Sequence, residues 1–117
     1  MFKIASRIEG KLWIMCLSGE VDDGACKGLT ETLEAGFRRY VNHVLLNLQD
    51  LTTINRSGQL IILKYLSQLK RFCRLLIVCH PLLPVQYAFS ETGVDRVMPI
   101  LPTLQKAKVF ALSKNKY

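Results

Sequence analysis

The sequence predicts a single-domain α/β fold: a mixed β-sheet of about five strands with about four helices, in the order β-β-α-β-α-β-α-β-α. Three observations carry this. Short apolar runs alternate with stretches of helical periodicity along the chain. The first two runs are separated by a short Gly-containing turn, which makes a hairpin and so a mixed sheet. No linker, low-complexity tract or repeat interrupts the pattern, so residues 1–112 read as one domain and 113–117 as a polar tail.

Taken in order, Phe2–Ile8 alternates apolar and polar residues, and Leu12–Leu17 follows after Glu9-Gly10-Lys11. The second strand is expected to end in a polar loop from Ser18 to Gly24. A helix over about Ala25–Tyr40 places Leu29, Leu33, Phe37 and Tyr40 along one side. Val44–Leu48 is a short apolar strand, with Asp50 opening a loop. Ser57–Phe72 carries the strongest helical pattern, with Leu60, Leu63, Tyr65, Leu66 and Leu69 as its buried stripe. Leu75–Cys79 is a fully apolar strand closed by His80-Pro81. A third helix spans about Leu83–Glu91, stopped at Thr92-Gly93, where glycine suits a left-handed cap. Val97–Ile100 is a short last strand. Pro102 stands at a helix start, with Leu104, Ala107, Lys108 and Phe110 in the final helix.

Composition narrows the function. Half of the 117 residues are apolar, too many for a disordered chain. The longest apolar runs fall far short of the ~18 residues a bilayer span requires. Nothing at Met1-Phe2-Lys3-Ile4 resembles a secretory leader, and the expected location is cytoplasmic. Cys16, Cys26, Cys73 and Cys79 show neither a CxxC pair nor a zinc rhythm with His43 or His80. No metal or cofactor is expected, and core packing is the simplest reading of Cys16 and Cys79.

Residues 1–50 carry six Lys/Arg and seven Asp/Glu, a net of −1; residues 51–117 carry ten against two, a net of +8. A basic half suits an acidic partner, nucleic acid or anionic lipid, and equally serves to keep an apolar domain soluble. Nucleic acid is not the expected partner. Phe72, Tyr87, Phe89 and Phe110 are placed for core packing, not as stacking platforms between basic residues. Phosphate loops, nucleophile elbows and zinc-binding helices are absent, and no catalytic residue is identified.

The informative segment runs from Leu46 through Asp50 to Ile54-Asn55-Arg56-Ser57-Gly58, out of a strand and into the strongest helix. A helix N-terminus exposes free N–H groups with positive partial charge, where a hydroxyl or an anion sits well. By local chemistry alone, Asn55 or Ser57 is an N-cap worth ~1 kcal/mol.

In combination these segments resemble the STAS domain family of bacterial anti-sigma factor antagonists. The residues carrying the resemblance are Gly19-Glu20-Val21-Asp22, Leu45-Leu46-Asn47-Leu48 and Ile54-Asn55-Arg56-Ser57-Gly58. Thr92-Gly93-Val94-Asp95-Arg96-Val97 and Ile100–Ala107 continue it, in order, over residues ~2–112. The resemblance implies a switchable protein-interaction module whose partner is an anti-sigma factor acting as a serine kinase. It implies that Ser57 receives the phosphate, that Asp22 lines the recognition surface, and that Asn55, Arg56 and Gly58 belong to it. The family's usual aspartate and first serine are here Asn55 and Arg56. Arg56 then either pairs with a phosphate on Ser57 or marks a binder that is never phosphorylated. The alternative is a cytoplasmic accessory subunit of a lipid-type ABC transporter, where STAS-like domains act without phosphorylation.

Overall fold

The computed structural model describes residues 1–37 and 43–113. Its elements are strands β1 (Lys3–Glu9), β2 (Leu12–Val21), β3 (His43–Ile54), β4 (Leu75–Cys79) and β5 (Ile100–Leu101). Helices α1 (Asp23–Phe37), α2 (Arg56–Lys70), α3 (Leu83–Thr92) and α4 (Leu104–Ser113) alternate with them. The sheet order is β1-β2-β3-β4-β5, antiparallel at β1–β2 and parallel elsewhere. The expected mixed five-stranded α/β architecture is what forms.

Period-2 alternation explains why the central strands read as unbroken apolar runs: both faces are covered. Trp13, Met15, Leu17, Val44, Leu46, Leu48, Leu76 and Val78 face α1, α2 and α3. Leu12, Ile14, Leu45, Ile77 and Cys79 face α4, whose Ala107 and Ala111 are both fully buried against them. Two alanines four residues apart give α4 a flat side that lies close to the sheet.

Several expected boundaries are corrected. β2 does not stop at Leu17 but runs on to Val21, and β3 continues past Leu48 to Ile54. The two extensions pair in parallel, Ser18 with Asp50 and Val21 with Ile54, across two irregularities in register. Their polar outer residues disguise them as loops, although Leu51 and Ile54 still point inward. The last strand is Ile100–Leu101; Val94–Arg96 forms a 3-10 turn, and Val97 is exposed. On α2 the stripe includes Ile62, whereas Leu60 faces solvent. Phe72 and Tyr87, expected in the core, are 62% and 67% exposed; Phe89 is fully buried and Phe110 partly so. The end of the first helix at Tyr40 and the tail beyond Ser113 lie outside the described residues. The stop after α3 forms as expected, with Gly93 left-handed at φ 81°.

Burial sets the behaviour of two titrating groups. It pushes the Cys79 thiol up to about 11, with Cys16 nearby adding to the effect. It pushes the Tyr65 phenol up to about 12, opposed slightly by Arg74. The native state therefore holds both protons after the unfolded chain has lost them. Their contribution to stability is expected to be full below about pH 9 and to fall as the pH rises through about 9–12. Urea midpoints at pH 8 and at about pH 11 should show this drop. A thiol reagent at neutral pH should label exposed Cys73 in the native protein and reach Cys79 only on unfolding.

Candidate functional site

The carboxyl ends of β2 and β3 reach beyond the rest of the sheet, and each feeds directly into a helix: β2 into α1, β3 into α2. The two helix N-termini lie side by side. Asp22 caps the first of them, its Oδ1 accepting from the Ala25 N–H at 3.0 Å while its carbonyl accepts from the same N–H at 3.1 Å. Asn55 caps the second, its Oδ1 accepting from the Gly58 N–H at 2.8 Å. The Asn55 N–H donates to the Val21 carbonyl at 2.9 Å, fixing the turn against the end of β2.

Asn55 also uses its other end. Its Nδ2 donates to Asp23 Oδ1 at 2.9 Å, which ties the first turn of α1 to that of α2. A carboxylate at position 55 would lack the N–H and would face Asp23 with like charge. Asparagine at this position is therefore suited to its neighbour, a pairing 32 residues apart that local sequence does not reveal. Replacing Asn55 by alanine removes the cap and the tie together and is expected to cost about 1–2 kcal/mol. Urea unfolding at constant slope measures it.

Gly58 is buried because the helix start presses on β2. A Cβ there would stand 2.5 Å from Val21 Cγ1 and 3.1 Å from Ile54 Cγ1. Gln59, also buried, accepts at Oε1 from the Thr92 hydroxyl at 2.5 Å and donates from Nε2 to the Ile54 carbonyl at 3.5 Å. The end of α3 is thereby joined to the same junction. Thr52 closes the overhang by donating to the Gly19 carbonyl at 2.9 Å.

What this rigid frame presents to solvent is Asp22, Asp23, Arg56 and Ser57, all exposed. Arg56 makes no ion pair and Ser57 no hydrogen bond among the described residues. Ser57 stands in the first turn of α2, where free N–H groups and the helix dipole favour a negative charge. Cys26, one turn into α1, has its thiol raised by burial and by Asp23 and Asp22, so it is not an activated nucleophile. The five residues singled out in the sequence thus converge, with Asn55 and Gly58 as frame and Asp22, Arg56 and Ser57 as surface. Asp23, Gln59 and Thr92 were not legible as members.

Elsewhere, a cleft of about 780 Å³ lies beside α3, with His80, Tyr87 and Asp95 on its walls. It does not include Ser57. Among the described residues no cluster of three or more His, Cys, Asp or Glu could hold a metal, and no helix is long and apolar enough to cross a membrane.

A family model for the STAS domain matches residues 3–107. An anti-sigma factor antagonist from Mycobacterium paratuberculosis superposes with a TM-score of 0.87 at 17% identity, over 95% of this chain and 94% of that one. An anti-sigma-factor antagonist (STAS) domain protein from Planctomyces limnophilus gives 0.80 at 15% identity, over 95% and 97%. The Bacillus cell fate determinant SpoIIAA in its phosphorylated form gives 0.68 at 19% identity, over 92% and 96%. At such identities these structures speak for the fold. No curated protein matches the chain.

Proposed function

The chain belongs to the STAS domain family, and from that premise we propose that it is a regulatory protein-interaction module, docking on its partner through the paired N-termini of α1 and α2. The observation that carries this is the exposed Ser57 on a junction where Asn55 ties the first turn of α2 to Gly58 and to Asp23 of α1. A preorganised surface loses little freedom on binding, which favours recognition. The similar structures bear on the kind of partner: anti-sigma factor antagonists by description, one of them in a phosphorylated form.

In this reading the partner is an anti-sigma factor of the serine-kinase type, met in the cytoplasm, and Ser57 is the hydroxyl that takes the phosphate. The phosphate would add about −1.5 to −2 charges beside Asp22 and Asp23, and Arg56 stands next to it to pair with part of that charge. The domain itself does no chemistry; it is the substrate and then the switch. Co-purification from the native cell, followed by incubation of the captured kinase with ATP and mass spectrometry, tests this. A phosphate on Ser57 supports the reading. A kinase that binds and leaves Ser57 unmodified defeats the switch while leaving the docking surface.

A second reading has one observation in its favour. Asn55 is committed at both ends to holding the fold, and it removes the acid that the family usually places there. That suits a surface used without phosphorylation, as in an accessory subunit of a lipid-type transporter. Co-purification with a permease or its ATPase would select it.

A further inference from the structure

We infer that β1 joins two copies of this chain edge to edge, about a two-fold axis passing through Ser6. Among the described residues β1 is the outer strand of the sheet and pairs only with β2. Its residues Ala5 to Glu9 are all exposed. An open edge of this kind offers a row of N–H and C=O groups to another strand.

The hairpin decides which groups those are. The Lys11 carbonyl accepts from the His43 N–H at 3.5 Å, so the odd-numbered backbone groups of β2 point towards β3. The even-numbered ones point towards β1, where Leu12, Ile14, Cys16 and Ser18 face Glu9, Arg7, Ala5 and Lys3. The N–H and C=O of Ile4, Ser6 and Ile8 are left pointing outward. A second, antiparallel β1 set with Ser6 opposite Ser6 brings Ile4 opposite Ile8. Every outward group then has a partner.

Side chains select the same register. It places Lys3 of each copy opposite Glu9 of the other, Ile4 opposite Ile8, and small Ala5 opposite Arg7. Sliding by two residues one way sets Lys3 against Arg7; sliding the other way sets Arg7 against Arg7. Sliding by one turns outward groups against groups already used by β2. Charges that normally blunt an edge here admit one pairing. Glu9 already holds Arg7 and Lys108, each at 2.9 Å, so Lys3 of the second copy joins an ordered carboxylate. Ile8, 46% exposed in one copy, gains an apolar neighbour. The contact is isologous, as a closed dimer requires.

The two-fold axis reverses strand direction, so the Ser57 surfaces of the two copies point opposite ways and both stay open. The dimer is independent of which partner those surfaces take.

Sedimentation equilibrium of the full chain tests this, with expected monomer–dimer behaviour across the concentration range. Ser6→Pro removes the central N–H; proline is tolerated on an edge whose N–H faces solvent, and a thermal melt verifies the fold. The dimer dissociation constant should rise at least about tenfold. Lys3→Glu should raise it about tenfold by turning two attractive pairs repulsive, and Lys3→Glu with Glu9→Lys should bring it back towards wild type. A wild-type chain that stays monomeric throughout overturns the inference and leaves the edge to a strand from another protein. A dimer that neither variant weakens overturns it as well.

Discussion

Gly58→Val is expected to destabilise the protein by about 3 kcal/mol, lowering the melting temperature by ~10 °C, and to weaken docking at the same time. The Cβ would lie 2.5 Å from Val21 Cγ1, and Val21 is 1% exposed with nowhere to move. Ile54 closes the other side at 3.1 Å. The first turn of α2 must therefore lift from β2, breaking the Asn55 to Gly58 cap and the Asn55 to Val21 bond that depend on it. Gly58→Ala meets the same first contact but regains up to ~1 kcal/mol of helix propensity, so its loss should be smaller. Thermal melting of both variants, with circular dichroism to verify the fold, measures the difference.

Ser57→Glu is expected to weaken partner binding by about 3 kcal/mol, roughly a hundredfold in the dissociation constant, while leaving stability within ±0.5 kcal/mol. The separation of the two effects follows from geometry. Ser57 is exposed and carries no part of the cap, which rests on Asn55, so the fold does not need its side chain. A carboxylate in the first turn of α2 is even favoured by the helix dipole. The same charge on a docked surface must be stripped of water and placed beside Asp22 and Asp23, which is costly. Ser57→Ala should bind within a few-fold of wild type but be blind to kinase and ATP. Titration calorimetry with the captured partner distinguishes the three proteins.

The fold was legible where local pattern and final environment agree. Leu75–Cys79 is apolar throughout because both of its faces are buried, and Gly93 stops α3 because it must be left-handed. It was illegible where pairing is non-local. Ser18-Gly19-Glu20 and Gln49-Asp50 read as loops, yet they are strand because the two extensions find one another in parallel. Leu60 was read into the buried stripe and Ile62 was left out of it because an all-apolar stretch of helix does not say which side meets the sheet. At the site, Asn55 as a cap and Ser57 as an exposed hydroxyl could be read from the turn into α2. The Asp23 tie and the Gln59 to Thr92 bond could not, since they depend on how three helices converge. The exposure of Phe72 and Tyr87 was missed for a similar reason: an aromatic residue at helical spacing shows periodicity but not on which face a neighbour arrives.

Amide hydrogen exchange of the chain, alone and bound to the partner it captures, tests most directly whether the paired helix starts are what another protein grips. Slowed exchange is expected over Asp22–Cys26 and Asn55–Gln59, with β1 and the turn after α2 unchanged. Protection that spares both helix starts and falls on the α3 cleft or on α4 instead would contradict it.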